Sequence, residues 1–410
     1  MAAARAGGKA GLDDIDPSGK RVLLRVDFNV PLNPDGTIRD ESRLLAALPT
    51  IRELLARGAA IVIATHFGRP KGKVNPALST RPLADRLGQL LGVPVEWVGD
   101  CVGPEVEARA RALRPGQLLM LENLRFHPEE EANDAGFARQ LAALAEIYVN
   151  DAFGTAHRAH ASTEGVAHLL PAAAGRLMAS EIVHLSAILE DPRRPLVAII
   201  GGSKLSTKLG LLGHLLERVD ALCLGGAMAA TFLKSGGLEV GRSLVEDDFL
   251  SQARELVGLA ATRGVDLQLP VDVVVAPSPD AQASEVAVKA VGEVGADDMI
   301  LDLGPATLGR WEKLVQAAGT IVWNGPLGLY EKPLFAGGTR QLAMAVAASS
   351  ALSVTGGGDL QAAIHSLGLE DKFTHVSTGG GATLEFLEGR ELPGVAVLPD
   401  APPSAGAGAT

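Results

Sequence analysis

The stretch LVAIIGGSK, residues Leu196–Lys204, decides how the fold is interpreted. Five apolar residues end at Gly201 and Gly202, and a segment with helical spacing follows over Lys208–Leu216. A short run that is apolar throughout is typical of a strand buried on both faces of a parallel sheet. The stretch therefore predicts a strand, a glycine turn and a helix in succession.

The same alternation of strand and helix continues in both directions from this stretch. Helical spacing is found in intervening stretches such as Arg43–Arg57, Pro82–Leu91, Phe137–Ala145, Lys208–Leu216 and Asp247–Arg263. Predicted strands are Val22–Val30, Ala60–Thr65, Leu118–Leu121, Ile147–Asp151, Leu196–Ile200, Ala221–Leu224, Val271–Ala276, Met299–Leu303, Thr320–Trp323, Leu352–Thr355 and His375–Ser377. Regular alternation of this kind favours an α/β architecture with mainly parallel sheets.

The length of 410 residues favours two domains. Gly175–Glu190 is a long helical segment followed by prolines. It fits a hinge helix between two α/β halves, and from the sequence alone it fits an ordinary crossover helix equally well. The predicted fold is two Rossmann-like domains, each a mainly parallel sheet with helices on both faces. The predicted boundaries are 1–174 for the first domain, 175–190 for the hinge helix, 191–391 for the second domain and 401–410 for a disordered tail.

Composition indicates a soluble globular protein, with 47% hydrophobic and 21% charged residues. The net charge of −11 argues against a general nucleic-acid or anionic-membrane surface. The sequence shows neither the apolar core of a signal peptide nor a run long enough to span a membrane, so we expect the cytoplasm. Cys101 and Cys223 are too few for a disulfide scaffold and lack metal-site spacing.

In the first half of the chain, cationic side chains follow the predicted strands. The first strand runs into Asp27 and Asn29. A single loop arginine is usually a solvated surface charge, but parallel strands carry their following loops to one sheet edge. Arginines that converge there would bind a small, multiply charged anion. The residues expected at that edge are Arg39, His66, Arg69, Arg125 and Arg158.

In the second half, glycines follow the predicted strands. Glycine lets backbone N–H groups approach a phosphate closely. Lys204 and Lys208 lie four residues apart and would share one helix face, while Asp359 could hold Mg²⁺. A single glycine pair is usually only a turn, and the sequence contains neither a P-loop nor a GxGxxG motif. The glycine groups are Gly201–Gly202, Gly225–Gly226, Gly325 with Gly328, Gly356–Gly358 and Gly379–Gly381.

Cations in one half and glycine loops with lysines in the other indicate a two-domain phosphotransferase. The motifs RVDFNVPL, THFGRPKG, LLMLENLRFHPEE, VNDAFGTAHRAHAS, GGSKLSTKLG, NGPLGLYE, TGGGD and HVSTGGGATLEFLEG occur in this order along the chain. At these motifs, and along nearly its whole length, the chain resembles the phosphoglycerate kinase family. The resemblance implies reversible phosphoryl transfer between 1,3-bisphosphoglycerate and ADP, giving 3-phosphoglycerate and ATP, with Mg²⁺, by a monomer whose domains close.

The resemblance also implies a role for each motif residue. Those assigned to phosphoglycerate are Asp27, Asn29, Arg39, His66, Arg69, Arg125 and Arg158. Those assigned to nucleotide are Lys208, Gly225, Gly226, Asn324, Glu331, Gly356, Gly357, Gly358 and Asp359, the last also positioning the metal. Those assigned to the transferring phosphoryl group are Arg39, Lys204, Gly379, Gly380 and Gly381. The segment 392–400 is expected to pack back onto the first domain.

Several residues depart from the usual family pattern. They are Phe67, Ser203, Thr207, Ala227 and Ala230, of which the last two bear on the adenine pocket.

The nucleophile in the ATP-consuming direction is a carboxylate that is already ionised at neutral pH, so we expect no general base. Two alternatives stay open here, namely a related phosphotransferase with another acid as acceptor, and a descendant that binds phosphorylated metabolites without catalysis.

Overall fold

The computed structural model describes residues 8–33 and 35–402 of the chain. Contacts divide it into two units, one formed by residues up to Val183 together with those from Glu391 onward, the other by His184–Arg390. The tail predicted over 401–410 lies outside the described residues except for 401 and 402. Within the described residues, no helix combines the length and apolarity that crossing a bilayer requires.

The first unit is built on a six-stranded sheet in the order β3-β4-β2-β1-β5-β6, with every neighbouring pair parallel. Its strands are β1 Arg21–Arg25, β2 Ala60–Ala64, β3 Val95–Trp97, β4 Leu118–Met120, β5 Ile147–Asn150 and β6 Ala172–Ala174. Its helices are α1 Ser42–Ala56, α2 Arg81–Leu91, α3 Pro104–Ala112, α4 Pro128–Glu131, α5 Ala135–Ala142 and the beginning of α6 Arg176–Glu190. All five residues of β2 are buried, as expected for a strand covered on both faces.

The second unit contains a six-stranded parallel sheet in the order β15-β14-β13-β7-β8-β9 and a separate three-stranded sheet, β11-β10-β12. Its strands are β7 Leu196–Ile200, β8 Ala221–Leu224, β9 Asp266–Gln268, β10 Asp272–Ala276, β11 Ala287–Ala290, β12 Met299–Leu303, β13 Thr320–Asn324, β14 Leu352–Gly356 and β15 His375–Val376. Its further helices are α7 Leu209–Leu215, α8 Met228–Ser235, α9 Leu250–Arg263, α10 Pro305–Ala317, α11 Gly337–Ala348, α12 Gly358–Ser366 and α13 Gly381–Leu387.

Short 3-10 helices connect many of these elements. They are Leu12–Asp14, Pro76–Leu78, Leu124–Phe126, Phe153–Thr155, Gly165–His168, Asp247–Phe249, Ala283–Glu285, Val291–Glu293, Pro333–Phe335 and Glu370–Lys372. After α13, the chain returns to the first unit and forms α14, Pro393–Ala396. There the side-chain amide of Asn150 donates to the Gly394 carbonyl at 3.2 Å.

The α/β class with two mainly parallel sheets, predicted from the alternation, is confirmed. The predicted runs at β10 and β12 are strands, but they lie outside the two large sheets and pair antiparallel with each other in the small sheet. Apolar content alone does not specify strand direction. The short strands β3, β6, β9 and β11 were missed, since segments of three or four residues such as Ala172–Ala174 carry little β-branched signal.

Three further details differ from the prediction. The strand predicted over Val22–Val30 ends at Arg25, and the chain leaves the sheet before Asp27. Lys204 and Lys208 do not share a helix, because turns occupy the residues between them and Lys208 is the N-cap of α7. Gly379–Gly381 lead into α13 as predicted, but the short α14 follows it, so α13 is not the final helix.

Candidate functional site

In the first unit, the predicted binding residues follow strands that are neighbours in the sheet. Because β4, β2, β1 and β5 are adjacent and parallel, the loops after them begin at one sheet edge. Asn29 Oδ1 accepts a hydrogen bond from the Gly68 N–H at 2.8 Å, and Arg125 Nη1 donates to the Gly68 carbonyl at 3.1 Å. Gly68 therefore ties together the loops that follow β1, β2 and β4.

Arg125 is a buried cation in this edge, with 4% of its surface exposed. Burial lowers its pKa, and the neighbouring charges of Arg25 and Arg158 lower it further, while Glu131 opposes them. The Glu131 carboxylate lies 3.2 Å from Arg125 Nε, within ion-pair range although the two groups are not aligned for a hydrogen bond. Arginines held this close together favour an anionic ligand, which would relieve their repulsion.

The two buried histidines of this edge are neutral at physiological pH. Burial lowers the pKa of His66 well below its usual value, and the charges of Arg25 and Arg125 add to the effect. Burial and the same two arginines lower the pKa of His160 to about 4. At pH 7, neither imidazole therefore adds a positive charge to those of Arg25 and Arg125.

The remaining predicted phosphoglycerate residues differ in how firmly they are held. Arg43 on α1 forms an ion pair with Asp27. Arg158 Nε donates to His157 Nε2 at 3.1 Å. Arg39 and Arg69 are exposed. Among residues 8–33 and 35–402, no side-chain hydrogen bond or ion pair joins either of them to Arg25, Arg125 or Arg158. These two arginines are thus free to reorient toward a ligand.

Sequence reasoning missed two arginines of this site, Arg25 and Arg43. Arg25 is the last residue of β1 and only 1% exposed. A charged residue at the end of a buried strand is unusual and was a usable signal. Arg43 carried no comparable signal, since it looks like any polar residue of an amphipathic helix.

In the second unit, a cleft of about 350 Å³ opens at the carboxyl ends of β7, β13 and β14. Backbone of glycine loops and the two lysines Lys204 and Lys208 line it. The lining residues that were predicted as site residues are Lys204, Lys208, Asn324, Gly357, Gly358, Asp359, Gly380 and Gly381. The structure thus brings together the glycine motifs that follow four separate strands, β7, β13, β14 and β15.

Lys208 is the best-fixed cation of this cleft. Its ammonium group donates to Asn324 Oδ1, and the Asn324 amide donates to the Gly356 carbonyl at 2.7 Å. Burial lowers the pKa of Lys208 to about 8, although the carboxylates of Glu388 and Asp359 act in the opposite direction. A desolvated lysine beside glycine backbone suits a phosphate ligand, because the phosphate would supply the missing counter-charge.

The glycine loops of β7 and β8 are in direct contact. Gly226 has a φ of +68°, and a Cβ there would lie 2.5 Å from the backbone nitrogen of Gly202. The N–H groups of Gly202 and Gly226 donate to the carbonyls of Pro326 and Leu327, each at 3.0 Å. These bonds join the loops after β7, β8 and β13 into one wall.

A second cavity of about 320 Å³ shares Gly202, Ser203, Pro326 and Asp359 with the cleft. Its lining is mostly apolar, with Leu, Val, Ile, Met and Pro side chains, and it includes Glu331. An apolar pocket next to a glycine and lysine cleft matches the base, sugar and phosphate order of a nucleotide. Ala227 lines this pocket, whereas Ala230 is buried in the core cluster beside the small sheet.

Three predicted glycines, Gly225, Gly356 and Gly379, line neither of the two cavities. The Gly225 N–H donates to the Ile200 carbonyl at 2.9 Å, and the Gly379 N–H donates to Ser377 Oγ at 3.1 Å. Gly356 is buried and its carbonyl accepts from Asn324. These glycines shape the loops, but the first two have no N–H to offer a ligand.

Asp359 is the predicted metal residue, and it is exposed in the first turn of α12. It lines both cavities. A single carboxylate beside a phosphate cleft fits Mg²⁺ carried by nucleotide phosphates, since Mg²⁺ keeps several waters and needs only one or two carboxylates from the protein. The residues present therefore fit the ion that the resemblance implies.

Among the described residues, one further grouping has metal-type ligands, namely Asp100, Cys101 and His127 in the first unit. His127 Nε2 is hydrogen-bonded to Asp100 Oδ1 at 2.7 Å. Burial raises the pKa of the Cys101 thiol well above its usual value, which disfavours the thiolate that a metal needs.

Comparison with known proteins agrees with this geometry. The phosphoglycerate kinase family model matches residues 12–390. The chain is 55% identical to phosphoglycerate kinase of Moorella thermoacetica over 390 residues, covering 95% of this chain and 99% of the relative. It is 54% identical to the Chlorobaculum tepidum enzyme over 396 residues, covering 96% and 100%.

Solved structures give the same result. The structure of phosphoglycerate kinase from Coxiella burnetii matches with a TM-score of 0.86 and 43% identity, covering 95% of this chain and 98% of the other. That from Pyrococcus horikoshii matches with a TM-score of 0.84 and 33% identity, with the same coverage. On the family match and the extent of these identities, the chain belongs to the phosphoglycerate kinase family.

Proposed function

We propose that this chain catalyses reversible phosphoryl transfer from 1,3-bisphosphoglycerate to ADP, giving 3-phosphoglycerate and ATP, as a step of glycolysis. The observation that carries the proposal is the cleft formed by Lys208, Asn324 and the glycine loops in a chain of this family. In the reaction, the bond between phosphorus and the acyl oxygen breaks while a bond to a β-phosphate oxygen of ADP forms. The carboxylate of 3-phosphoglycerate leaves.

The first unit would bind the phosphoglycerate. His66, Arg125 and Arg158 would hold its non-transferring phosphate, joined by Arg69 on ligand binding. Asp27 and Asn29 would bind the glycerate portion, and the exposed Arg39 would meet the phosphoryl group that moves. The mutual repulsion among the buried arginines supports this assignment.

The second unit would bind the nucleotide. Its base would occupy the apolar pocket and its ribose would reach Glu331, while its phosphates would meet Lys208 and the loop Gly356–Gly358. Asp359 would hold the Mg²⁺ of the nucleotide, whose chemistry is to neutralise phosphate charge. Lys204, with the N–H groups of Gly380 and Gly381, would stabilise the oxygens of the phosphoryl group during transfer.

The reaction would proceed without a general base. In the ATP-consuming direction the nucleophile is a carboxylate with a pKa of about 4, so it is ionised at neutral pH. The pKa of His160, about 4, is too low for an efficient base at pH 7. Catalysis would therefore come from alignment and from charge stabilisation by Arg39 and Lys204.

The two substrates would be bound by different units, so transfer would require the units to close around them. Closure would exclude water and protect the phosphoryl group from hydrolysis. We further propose that the protein acts as a cytoplasmic monomer, with its acidic net charge of −11 keeping it soluble.

The decisive experiment measures ATP consumption by the purified protein with Mg²⁺, with and without 3-phosphoglycerate. The proposal predicts consumption that depends on 3-phosphoglycerate. A panel of other carboxylic acids serves as the control for acceptor identity. Consumption with another acid and none with 3-phosphoglycerate would refute the proposal, and so would binding of both ligands without turnover.

A further inference from the structure

Four buried polar residues of the first unit are linked by a series of hydrogen bonds, and only one of them, His66, has a role in the proposed function. They are Glu130, Ser162, Arg25 and His66, and none exposes more than 4% of its surface. They come from α4, the loop after β5, the end of β1 and the loop after β2. Burying two charged groups is costly, so their arrangement requires a reason.

This series of hydrogen bonds begins at Glu130, which is fully buried. Ser162 donates twice to its carboxylate, through its hydroxyl at 2.6 Å and its backbone N–H at 2.9 Å. Each carboxylate oxygen thus accepts one bond from Ser162. Burial raises the pKa of Glu130, and the charge of Arg25 acts against this effect.

The hydroxyl group of Ser162 connects Glu130 to Arg25. The single hydroxyl hydrogen of Ser162 is committed to Glu130, so its oxygen is left as an acceptor, and Arg25 Nε donates to it at 2.9 Å. Arg25 Nη1 donates to the Val26 carbonyl. Two sides of the guanidinium plane are therefore fixed, which sets the direction of the third.

The third side of Arg25 faces His66, with Arg25 Nη2 lying 3.2 Å from His66 Nδ1. A guanidinium nitrogen can donate a hydrogen bond but cannot accept one. Nδ1 must therefore be the acceptor, and the proton of the neutral ring must be on Nε2. Among the described residues, no hydrogen bond uses His66 Nε2, so its N–H is available to a ligand.

We propose that Glu130, Ser162 and Arg25 are positioning residues that fix His66 as the neutral Nε2–H tautomer, so that His66 binds the phosphoglycerate anion as a hydrogen-bond donor without a positive charge. This inference rests on the proposed function, since it assigns His66 to that substrate. It also gives a reason for the burial of Glu130, a carboxylate to which no substrate is assigned. Its negative charge offsets the positive charge of Arg25.

The ring nitrogens of His66 can be observed directly. The full-length protein is labelled with ¹⁵N-histidine, and the nine histidines are resolved by long-range ¹H–¹⁵N correlation. The spectrum of His66→Gln identifies the resonances of His66. We expect a pyridine-type shift for Nδ1 and a pyrrole-type shift for Nε2 at pH 7, before any ligand is added.

Ser162→Ala removes the hydroxyl that joins Glu130 to Arg25. We expect the two His66 nitrogen shifts to move toward each other as tautomers average, and the KM for 3-phosphoglycerate to rise about tenfold while the KM for ATP is unchanged. Glu130→Gln should move both readouts in the same direction. Ser353→Ala, which removes an equally buried hydroxyl in β14 of the other unit, is the matched control and should move neither.

A protonated Nδ1 in the wild-type protein would overturn the inference. So would unchanged His66 shifts and an unchanged KM for 3-phosphoglycerate in folded Ser162→Ala, with folding checked by circular dichroism. A wild-type protein with the expected tautomer but no turnover that depends on 3-phosphoglycerate would contradict the proposed function instead. The two ideas can therefore fail separately.

Discussion

At the scale of single residues, the two lysines of the glycine cleft have different environments. Lys208 is half-buried and donates to Asn324, whereas Lys204 is exposed in the turn before it. The contact with Asn324 holds the Lys208 side chain in one place, while the exposed side chain of Lys204 is free to change conformation. A fixed lysine suits ground-state binding of phosphate, and a mobile one suits a group that moves during the reaction.

The depressed pKa of Lys208 predicts a pH dependence of nucleotide binding. With a pKa of about 8, Lys208 loses its positive charge as pH rises through that value. ADP affinity should therefore fall between about pH 7 and pH 9, because a neutral amine attracts phosphate weakly. Isothermal titration calorimetry across this range measures the effect.

Lys208→Arg is the control, because a guanidinium stays charged throughout the range. Its ADP affinity should change less with pH than that of the wild type. Parallel profiles for the two proteins would show that Lys208 does not contribute its charge to the nucleotide.

Arg39 and Lys204 are expected to act mainly on turnover. Both are exposed, so replacing either with alanine should leave the fold intact. Each substitution should lower kcat by at least about tenfold, since each removes a charge that, on the proposed function, stabilises the transferring oxygens. Steady-state kinetics with thermal denaturation as the folding control would check this, and near-normal kcat in both variants would refute the assigned roles.

At the scale of elements, α6 depends on a buried carboxylate at its first turn. Asp151, which follows β5, accepts hydrogen bonds from the N–H groups of Leu177 and Met178 at 2.9 and 3.1 Å. These N–H groups have no partner within the helix, so the carboxylate satisfies them and favours the helix dipole. The residue that directly follows β5 thereby favours the start of α6 at this position.

Asp151 also gives the folded state a measurable pH dependence. Burial raises its pKa to about 6, above the value of about 3.9 expected in the unfolded chain. The folded state therefore binds this proton more tightly, and the contribution of Asp151 to stability is greatest below about pH 4. It is lost as pH rises through about 6.

The free energy of unfolding of the wild type minus that of Asp151→Asn should thus fall by on the order of 2 kcal/mol between about pH 4 and pH 6. Urea denaturation at a series of pH values gives this difference. Taking the difference removes the titration of all other groups. A difference that is constant or rises with pH would contradict the raised pKa.

At the scale of the whole molecule, anion-binding and nucleotide-binding residues are assigned to different units. Arg158 belongs to the first unit, and the glycine cleft belongs entirely to the second. Arg158→Ala should weaken 3-phosphoglycerate binding about tenfold and leave ADP binding unchanged, since it removes a cation from only one of them. Calorimetry with each ligand alone tests the division, and equal losses for both ligands would contradict it.

Transfer between ligands on separate units predicts a change of overall dimensions. The radius of gyration in solution scattering should be smaller with 3-phosphoglycerate and a non-hydrolysable ATP analogue together than with either alone. Lys208→Ala, with its nucleotide site weakened, should show a smaller change at the same concentrations. An identical radius in all ligand states would argue against closure.

The sequence by itself determined the fold class, most strands and the chemistry of the strand ends. Runs such as Leu196–Ile200 are apolar throughout, and this local property suffices to indicate a buried strand. The glycines and cations that follow the strands could be assigned to one sheet edge because parallel strands share a direction. Of the predicted nucleotide residues, Lys208, Asn324 and Asp359 all line one cleft.

Only the tertiary structure decided how the strands pair and which distant residues meet. It made β10 and β12 antiparallel, and it separated Lys204 from Lys208 by turns. It joined Arg25 to Ser162, which lies 137 positions away in the chain. Hydrogen bonds of this kind depend on strand order and register, which emerge from the packing of the whole sheet, so no local pattern in the sequence encodes them.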